Sequence, residues 1–257
     1  MEPDAKVPTG DAPPSPVNAR VYAHSGSMLY KLNPTTLAPQ VIGTMGLGSN
    51  EQLLDLAVDK DDHIVGTTKN KIYKIDSTTG TATLLADLSD TAGGYTSLSY
   101  VPMSDDPNST EILVTANSAG DVYRIDISGN TANVVGPIGN YGKRGSDQIK
   151  SSGDLFGVRG LGIYATVDVG SGTNDYLAKI DPVTWKATLL TQDTGFDHVF
   201  GLGFWGDKIY GFVDDGNTAN TGKMIQIDKT SGKGTVLTSG AERWFGAGVT
   251  TNAAVIF

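Results

Sequence analysis

An all-β fold built from radially repeated four-stranded units is predicted by three observations in this chain of 257 residues. First, one short phrase recurs five times: a hydrophobic alternation, an Asx residue, a Ser/Thr/Gly turn and a second apolar run. It reads LYKLNPTTLAPQVI from Leu29, IYKIDSTTGTATLL from Ile72, VYRIDISGNTANVV from Val122, LAKIDPVTWKATLL from Leu177 and IQIDKTSGKGTVL from Ile225. Self-similarity at a period of about 50 residues marks a repeat architecture. Second, 33 glycines with abundant Thr and Ser suit many short strands joined by tight turns. No amphipathic helical stretch with cap signals accompanies them. Third, the Asx positions Asn33, Asp76, Asp126, Asp181 and Asp228 lie 43, 50, 55 and 47 residues apart. The residues after Asp228, joined to those between Val17 and Asn33, supply one more period. The prediction is a five-bladed β-propeller of four-stranded antiparallel blades, its ring closed by strands from both termini.

The strands can be assigned along the chain. The N-terminal part supplies three, ARVYAHS, MLYKLN and PQVIGT. The next unit divides into LLDLAVD, HIVGTT, KIYKID and TATLLADL, separated by DKDD, KN and STTG, each a turn composition. Then come SLSYVP, EILVTAN, DVYRID and TANVVGP, followed by DLFGV, LGIYATVDV, YLAKID and ATLLT. FGLGFW, KIYGFVDD, MIQID and GTVLT form the next set. A final run, WFGAGVTT, aligns with the innermost strand of the other units and completes the N-terminal one. Four-stranded units repeated around an axis are propeller blades, and closure removes the exposed edges of an open sheet. Ala253 to Phe257 have no counterpart in the repeat.

Residues 18–257 are read as one domain; all-β domains of this length are often single. Residues 1–17, MEPDAKVPTGDAPPSPV, hold five of the eleven prolines and read as a linker or tether. Such a leader is similar to the tether behind the lipidated cysteine of bacterial surface lipoproteins, which implies a lipid anchor in the native protein and an extracellular, cell-surface or periplasmic location. The chain has no cysteine, so it offers neither disulfides nor thiol chemistry. A net charge of −9 opposes nucleic-acid binding, and no apolar run approaches the roughly 18 residues of a membrane span.

The phrase x-Y-x-I-D-x-x-(S/T)-G-x-(A/G)-T-φ-φ resembles the blades of quinoprotein-like and other bacterial secreted propellers. The resemblance covers residues 17–257 and is a likeness of fold, which does not choose a function. Five-bladed propellers include sugar-binding lectins and glycoside hydrolases, so it implies both possibilities. The tryptophans that dock a quinone are not matched by Trp185, Trp205 and Trp244, and no cofactor is expected.

Several motifs have plainer structural readings. The repeated Asp suits an Asx-turn, accepting backbone N–H groups two residues on, and Asn33 can do the same without charge. Gly201 to Gly206 satisfies G-x-G-x-x-G but lies between strands and opens no helix. Asp59-Lys60-Asp61-Asp62 lacks the Gly and Glu of an EF-hand loop. Asn108-Ser109-Thr110 reads as turn chemistry. His24, His63 and His198 fall in different units without metal-ligand spacing, so no metal site is expected.

The segments leading into each inner strand should surround one mouth of the central channel. They carry Gly48 to Glu51, Gly93 to Thr96, Asn140 to Ser152, Phe196 to His198 and Glu242 to Trp244. Aromatic, amide and charged groups on one face suit a polar ligand with stacking platforms. The third segment, Gly136 to Ser152, is the longest and reads as a loop, the class of segment that often carries function. The predicted ligand-binding residues are Tyr95, Tyr141, Lys143, Arg144, Asp147, Asp197, His198, Arg243 and Trp244. The leading functional expectation is a non-catalytic, monomeric binding propeller that recognises a polar small molecule, glycan, peptide or protein. One alternative is a scaffold or protein-interaction module. Another is a glycoside hydrolase drawing paired carboxylates from Glu51, Asp55, Asp154, Asp197 and Glu242.

Overall fold

The structure, a computed structural model, describes residues 21–33, 35–172, 174–216, 222–240 and 242–255. The 1–17 tether lies outside the described residues. The described chain is all β. Val21–His24 (β1), Met28–Leu32 (β2) and Pro39–Thr44 (β3) come first. Asp55–Val58 (β4), Ile64–Thr67 (β5), Lys71–Ile75 (β6) and Ala82–Leu88 (β7) follow. Next are Ser99–Pro102 (β8), Glu111–Ala116 (β9), Asp121–Ser128 (β10) and Thr131–Asn140 (β11). Lys143–Arg144 (β12), Asp147–Val158 (β13), Gly162–Val169 (β14), Tyr176–Ile180 (β15) and Ala187–Asp193 (β16) continue the chain. Val199–Trp205 (β17), Lys208–Asp214 (β18), Gly222–Ile227 (β19), Gly234–Gly240 (β20) and Gly246–Val249 (β21) complete it.

The sheet orders are β21-β1-β2-β3, β4-β5-β6-β7-β11-β10-β9-β8, β12-β13-β14-β15-β16 and β17-β18-β19-β20. Among the described residues the strands named above pair antiparallel except β7 with β11, a parallel contact limited to Asp87 with Thr131 and Leu88 with Ala132; an isolated parallel bridge links Val58 to Thr250. The eight-stranded sheet is thus two meanders joined at their outer strands. β21 lies antiparallel to β1, with Val21 opposite Val249, so the C-terminal strand completes the N-terminal meander.

Burial falls from the first strand of a meander to the last. β4, β5 and β21 are buried along their whole length, whereas β3 mixes exposed and half-buried positions, β7 mixes exposed, half-buried and buried ones, and β20 is almost wholly exposed. A strand buried on both faces needs sheets packed against each side, which explains the continuous apolar runs where half-buried strands would alternate. The leading strands contact one another in the cyclic order β4, β8, β13, β17, β21 and back to β4. Small residues allow this approach: a Cβ at Gly201 would lie 2.8 Å from the Ala247 Cβ. Ala253 and Val255, which the repeat left unplaced, pack partly buried against the largest core cluster.

Four of the five repeated Asx residues make the expected turn. Asp76 Oδ1 accepts the N–H groups of Thr78 at 2.8 Å and Thr79 at 2.7 Å. Asn33, Asp181 and Asp228 repeat the geometry. Asp126 departs from it. It stays in strand β10, pairs with Arg124 at 2.7 Å, and leaves the reversal to Gly129 and Asn130 in a two-residue hairpin.

The expected loop from Gly136 to Ser152 is instead extended strand. β11 runs on to Asn140 and β13 starts at Asp147, with β12 between them. Gln148 Nε2 donates to the carbonyls of Ala119 and Gly142 and to Asn140 Oδ1, and Asn140 Nδ2 donates to Asp121 Oδ1. These bonds supply the backbone and amide partners that a solvated loop would find in water.

Candidate functional site

The segments before β4, β8 and β21, with the middle of β13 and the start of β17, line a pocket of about 180 Å³. Leu53, Leu54, Tyr95, Phe200 and Phe245 form its apolar walls; Thr96 and Ser152 bring hydroxyl groups. Each leading strand contributes, β13 through its middle and the others through their approach or first residues. The Thr96 hydroxyl donates to Ser152 Oγ at 2.9 Å, joining two of the segments that line the pocket.

Tyr95 is the predicted residue that lines this pocket. Its ring packs edge-on against Tyr123 at 5.4 Å, and its hydroxyl donates to Asp90 Oδ2 at 2.7 Å. Both contacts hold the ring in one orientation. Burial first, then the Asp90 carboxylate, push the phenol well above its usual range, so Tyr95 acts as a neutral wall.

Arg243 and His198 stand beside the two phenylalanines. The Arg243 guanidinium lies 5.3 Å from the Phe245 ring centre and grips Asp214 through Nε to Oδ1 at 2.9 Å and Nη2 to Oδ2 at 2.5 Å. Burial opposes ionisation of Asp214, yet the Arg243 contact and the Gly216 N–H hold its carboxyl below the usual range. The Asp214 N–H donates to the His198 carbonyl at 3.0 Å, and the His198 ring lies 5.1 Å from Phe200. His198 Nε2 is 3.6 Å from Asp197 Oδ2. Asp197, His198 and Arg243 are therefore set around Phe200 and Phe245 as charged and polar neighbours.

The remaining predicted residues lie elsewhere. Tyr141 is 1 % exposed and belongs to a core cluster with Val122, Ile149 and Trp185, so it cannot serve as a surface platform. Trp244 is 4 % exposed and packs edge-on against Tyr30 and Phe212 at 5.0 and 5.5 Å. Each follows a polar loop-like run but turns inward to fill space beneath it. Lys143, Arg144 and Asp147 are exposed on the β12 hairpin and do not line the pocket. Arg144 is occupied by Tyr176, with Nη1 donating to the phenol oxygen at 3.1 Å and the guanidinium 5.3 Å from the ring centre.

Of the candidate acid residues, Asp55 and Asp154 meet in the interior, 0 % and 1 % exposed. Asp55 Oδ2 accepts the Leu98 N–H at 2.7 Å, and Asp154 Oδ2 the Leu202 N–H at 2.5 Å. Burial pushes both carboxyls well above the usual range, and the Asp154 charge raises Asp55 further. Glu51 is drawn away to Lys71 and Tyr73. Glu242 interacts with Tyr30.

Sequence reasoning missed Phe200, Phe245, Asp168, Asp175 and Asp214. The two phenylalanines had a signal: each directly precedes a glycine of a leading strand, Gly201 and Gly246, where the chain turns from the mouth into the packed ring.

No family model and no curated protein matches the chain. Among solved structures it is similar to a chain of the nidogen/laminin complex, with 11% identity, TM-score 0.50, and coverage of 90% of this chain and 98% of that one. It is also similar to a protein of unknown function from Bacteroides caccae, with 12% identity, TM-score 0.42, and coverage of 86% and 72%. A third similarity is to the extracellular domain of a putative one-component system from B. thetaiotaomicron, with 11% identity, TM-score 0.44, and coverage of 85% and 29%. The nidogen/laminin likeness places the fold in the propeller class and carries no function with it.

Proposed function

We propose that residues 18–257 form a five-bladed propeller whose channel mouth binds a single ring-bearing group of a larger ligand, a terminal sugar or an aromatic side chain. The five-blade reading rests on the cyclic contacts of β4, β8, β13, β17 and β21, and on the shortness of the β7–β11 strand pairing, which spans two residues on each strand of the eight-stranded sheet. The binding reading rests on one observation: all five leading segments converge on an aromatic-walled pocket that Thr96 and Ser152 also line. Its volume of about 180 Å³ is below the roughly 300–1,000 Å³ of sites that enclose drug-sized ligands. One ring fits, and the rest of the ligand would lie over Asp197, His198 and Arg243. Apolar faces of sugars and aromatic rings suit Phe200 and Phe245.

The hydrolase reading is less well supported. Asp55 and Asp154 are close together, but they are enclosed and their oxygens serve backbone N–H groups, whereas glycoside hydrolysis needs two carboxyl groups flanking a bound sugar. An extracellular, surface or periplasmic location, with a tether in residues 1–17, belongs to the same proposal and rests on the proline-rich leader.

A glycan and peptide array probed with the wild-type protein and with Phe245→Ala tests the binding reading. The expected result is a ligand class retained by the wild type and lost by the variant. Ligands bound equally by both would place recognition elsewhere on the surface.

A further inference from the structure

We propose that Asp168, Asp175 and Asp197 form a binding site for a divalent cation, calcium being the expected ion, beside the channel mouth. The three come from separate parts of the chain: the end of β14, the residue before β15, and the segment before β17. One carboxylate oxygen from each lies within 4.8 Å of the other two. Like charges brought this close repel unless a proton or cation lies among them.

Asp175 is what distinguishes this group from an ordinary acidic patch. It is 0 % exposed, and its Oδ2 is anchored by the Val199 N–H at 2.7 Å. Its other oxygen, Oδ1, is enclosed without a hydrogen-bond partner among the described residues. The Ser152 side chain approaches this carboxyl group without satisfying that oxygen. The backbone fixes the position further, since the Asp175 N–H donates to the Phe196 carbonyl at 2.8 Å and its own carbonyl accepts the Thr194 N–H at 2.8 Å. A buried, unmatched acceptor on a carboxylate that lies beside two others is unfavourable when left so and favourable when it coordinates a cation.

The side chains around the cluster do not supply the missing charge. Among the described residues its ion-pair partner is the His198 ring, 3.6 Å from Asp197 and partly exposed. Lys150 lies opposite Asp168 in the β13–β14 register but makes no ion pair with it among those residues. With Asp175 buried, burial and the Asp168 charge favour its protonated form, to a pKa of about 8, so a proton is the competing occupant.

The donor set selects the ion. Three carboxylates, with no thiolate and with imidazole only at the edge, suit a hard cation over zinc or copper. The ligands sit on three elements and are graded from buried to exposed, which suits the irregular oxygen shell of calcium better than the octahedron magnesium requires. Water would complete the shell on the side of Asp197. The Asp59, Asp61 and His63 group also clusters, but Asp59 already accepts the Asp61 and His63 N–H groups and the His63 ring. No side-chain oxygen or ring nitrogen of that group is enclosed without a partner among the described residues.

Isothermal titration of chelator-treated full-length protein with calcium chloride, paired with thermal unfolding, tests the site. One calcium per chain is expected, with a Kd of about 10⁻⁴–10⁻³ M and a rise in the unfolding temperature. Asp168→Asn and Asp197→Asn, both at incompletely buried positions, should each weaken binding about tenfold or more, while Asp59→Asn leaves it unchanged. Calcium binding that Asp168→Asn does not alter, or none at 10-fold above about 10⁻³ M calcium, overturns the proposal. Magnesium binding as tightly as calcium overturns the assignment of the ion. Phe245→Ala should keep calcium while losing the mouth ligand, so the two readings fail separately.

Discussion

Asp55 and Asp154 touch through their carboxyl groups in the interior, and each also holds backbone at another leading strand, Leu98 just before β8 for Asp55 and Leu202 in β17 for Asp154. Two acids this close and this enclosed titrate as a pair, and they are most comfortable sharing one proton. Their contact is therefore a tie among leading strands whose strength depends on pH.

The pH dependence follows from the direction of the shifts. In the unfolded chain an aspartate releases its proton near pH 3.9, whereas burial keeps protons on Asp55 and Asp154 well above that, and on Asp175 to about pH 8. Between about pH 4 and 8 the folded state thus binds more protons, so the contribution of these groups to stability falls as pH rises. Asp76, Asp181 and Asp228 shift the other way, held low chiefly by backbone N–H bonds, and their contribution is lost as pH falls through their folded values. Urea unfolding at pH 5, 7 and 9 should show declining stability across that range. Asp154→Asn should flatten the decline; an unchanged slope in the variant would contradict the shared-proton tie.

A second consequence concerns the space around the pair. Gly246 lies against the Asp55 carboxylate and the His24 ring, where an added Cβ would come within 2.5 Å of His24 Nε2. His24 is wholly enclosed, and burial pushes its pKa down to about 4, so the neutral ring cannot offset extra crowding by gaining charge. Gly246→Ala is expected to lower the unfolding free energy by about 1–3 kcal/mol, the usual scale for overpacking. Gly240→Ala, which meets nothing within 4 Å, is the matched control, and chemical denaturation of both reads the difference.

Much of this was legible in the sequence, for a physical reason. Strands and turns are set by local alternation and turn chemistry, so DVYRID, KIYGFVDD and PQVIGT become β10, β18 and β3 with ends moved by two residues or fewer. The Asx-turn was legible for Asp76 because its acceptor reaches residues two and three places on. At Asp126 the Gly129-Asn130 hairpin competes and prevails. Side-chain direction at the mouth was not legible. Tyr141 and Trp244 sit among polar residues, and only the packing of Ile149 against one and Phe212 against the other turns them inward. Asp175 could not be told from other surface acids, since its burial depends on the Phe196 and Val199 backbone some twenty residues away.

Recognition at the mouth should discriminate between the pocket and the β12 hairpin. Phe200→Ala removes an aromatic wall and is expected to weaken ligand binding about 10-fold or more, the scale of a buried aromatic anchor. Lys143→Ala combined with Arg144→Ala should leave affinity within about twofold, because neither side chain lines the pocket. Affinity measurements on the first ligand from the array decide it. A larger loss from the hairpin pair than from Phe200→Ala would move the site to β12.

A dense side-chain link between the residues just after β21 and the rest of the fold runs through Arg159. It is 7 % exposed, and Nη1 donates to Glu111 Oε1 at 3.1 Å, to Thr251 Oγ1 at 2.5 Å and to Asn252 Oδ1 at 3.0 Å. Nε and Nη2 donate to the carbonyls of Asp106 and Ser109, each at 2.9 Å, while the Arg159 N–H donates to the Thr251 carbonyl. All of the guanidinium nitrogens are thus matched, and the side chain joins the β8–β9 turn to the residues just after β21. Arg159→Ala leaves the Glu111 carboxylate enclosed without its counter-charge, and loss of one partner of a buried ion pair costs about 3–5 kcal/mol. Arg159→Lys keeps the charge but cannot span Asp106, Ser109 and Thr251 together, so its loss should be intermediate. The same denaturation series measures both, and Glu111→Gln in the Arg159→Ala background should recover part of the stability by removing the stranded charge. If that double variant is no more stable than Arg159→Ala alone, the cost lies in lost packing and not in the unpaired carboxylate.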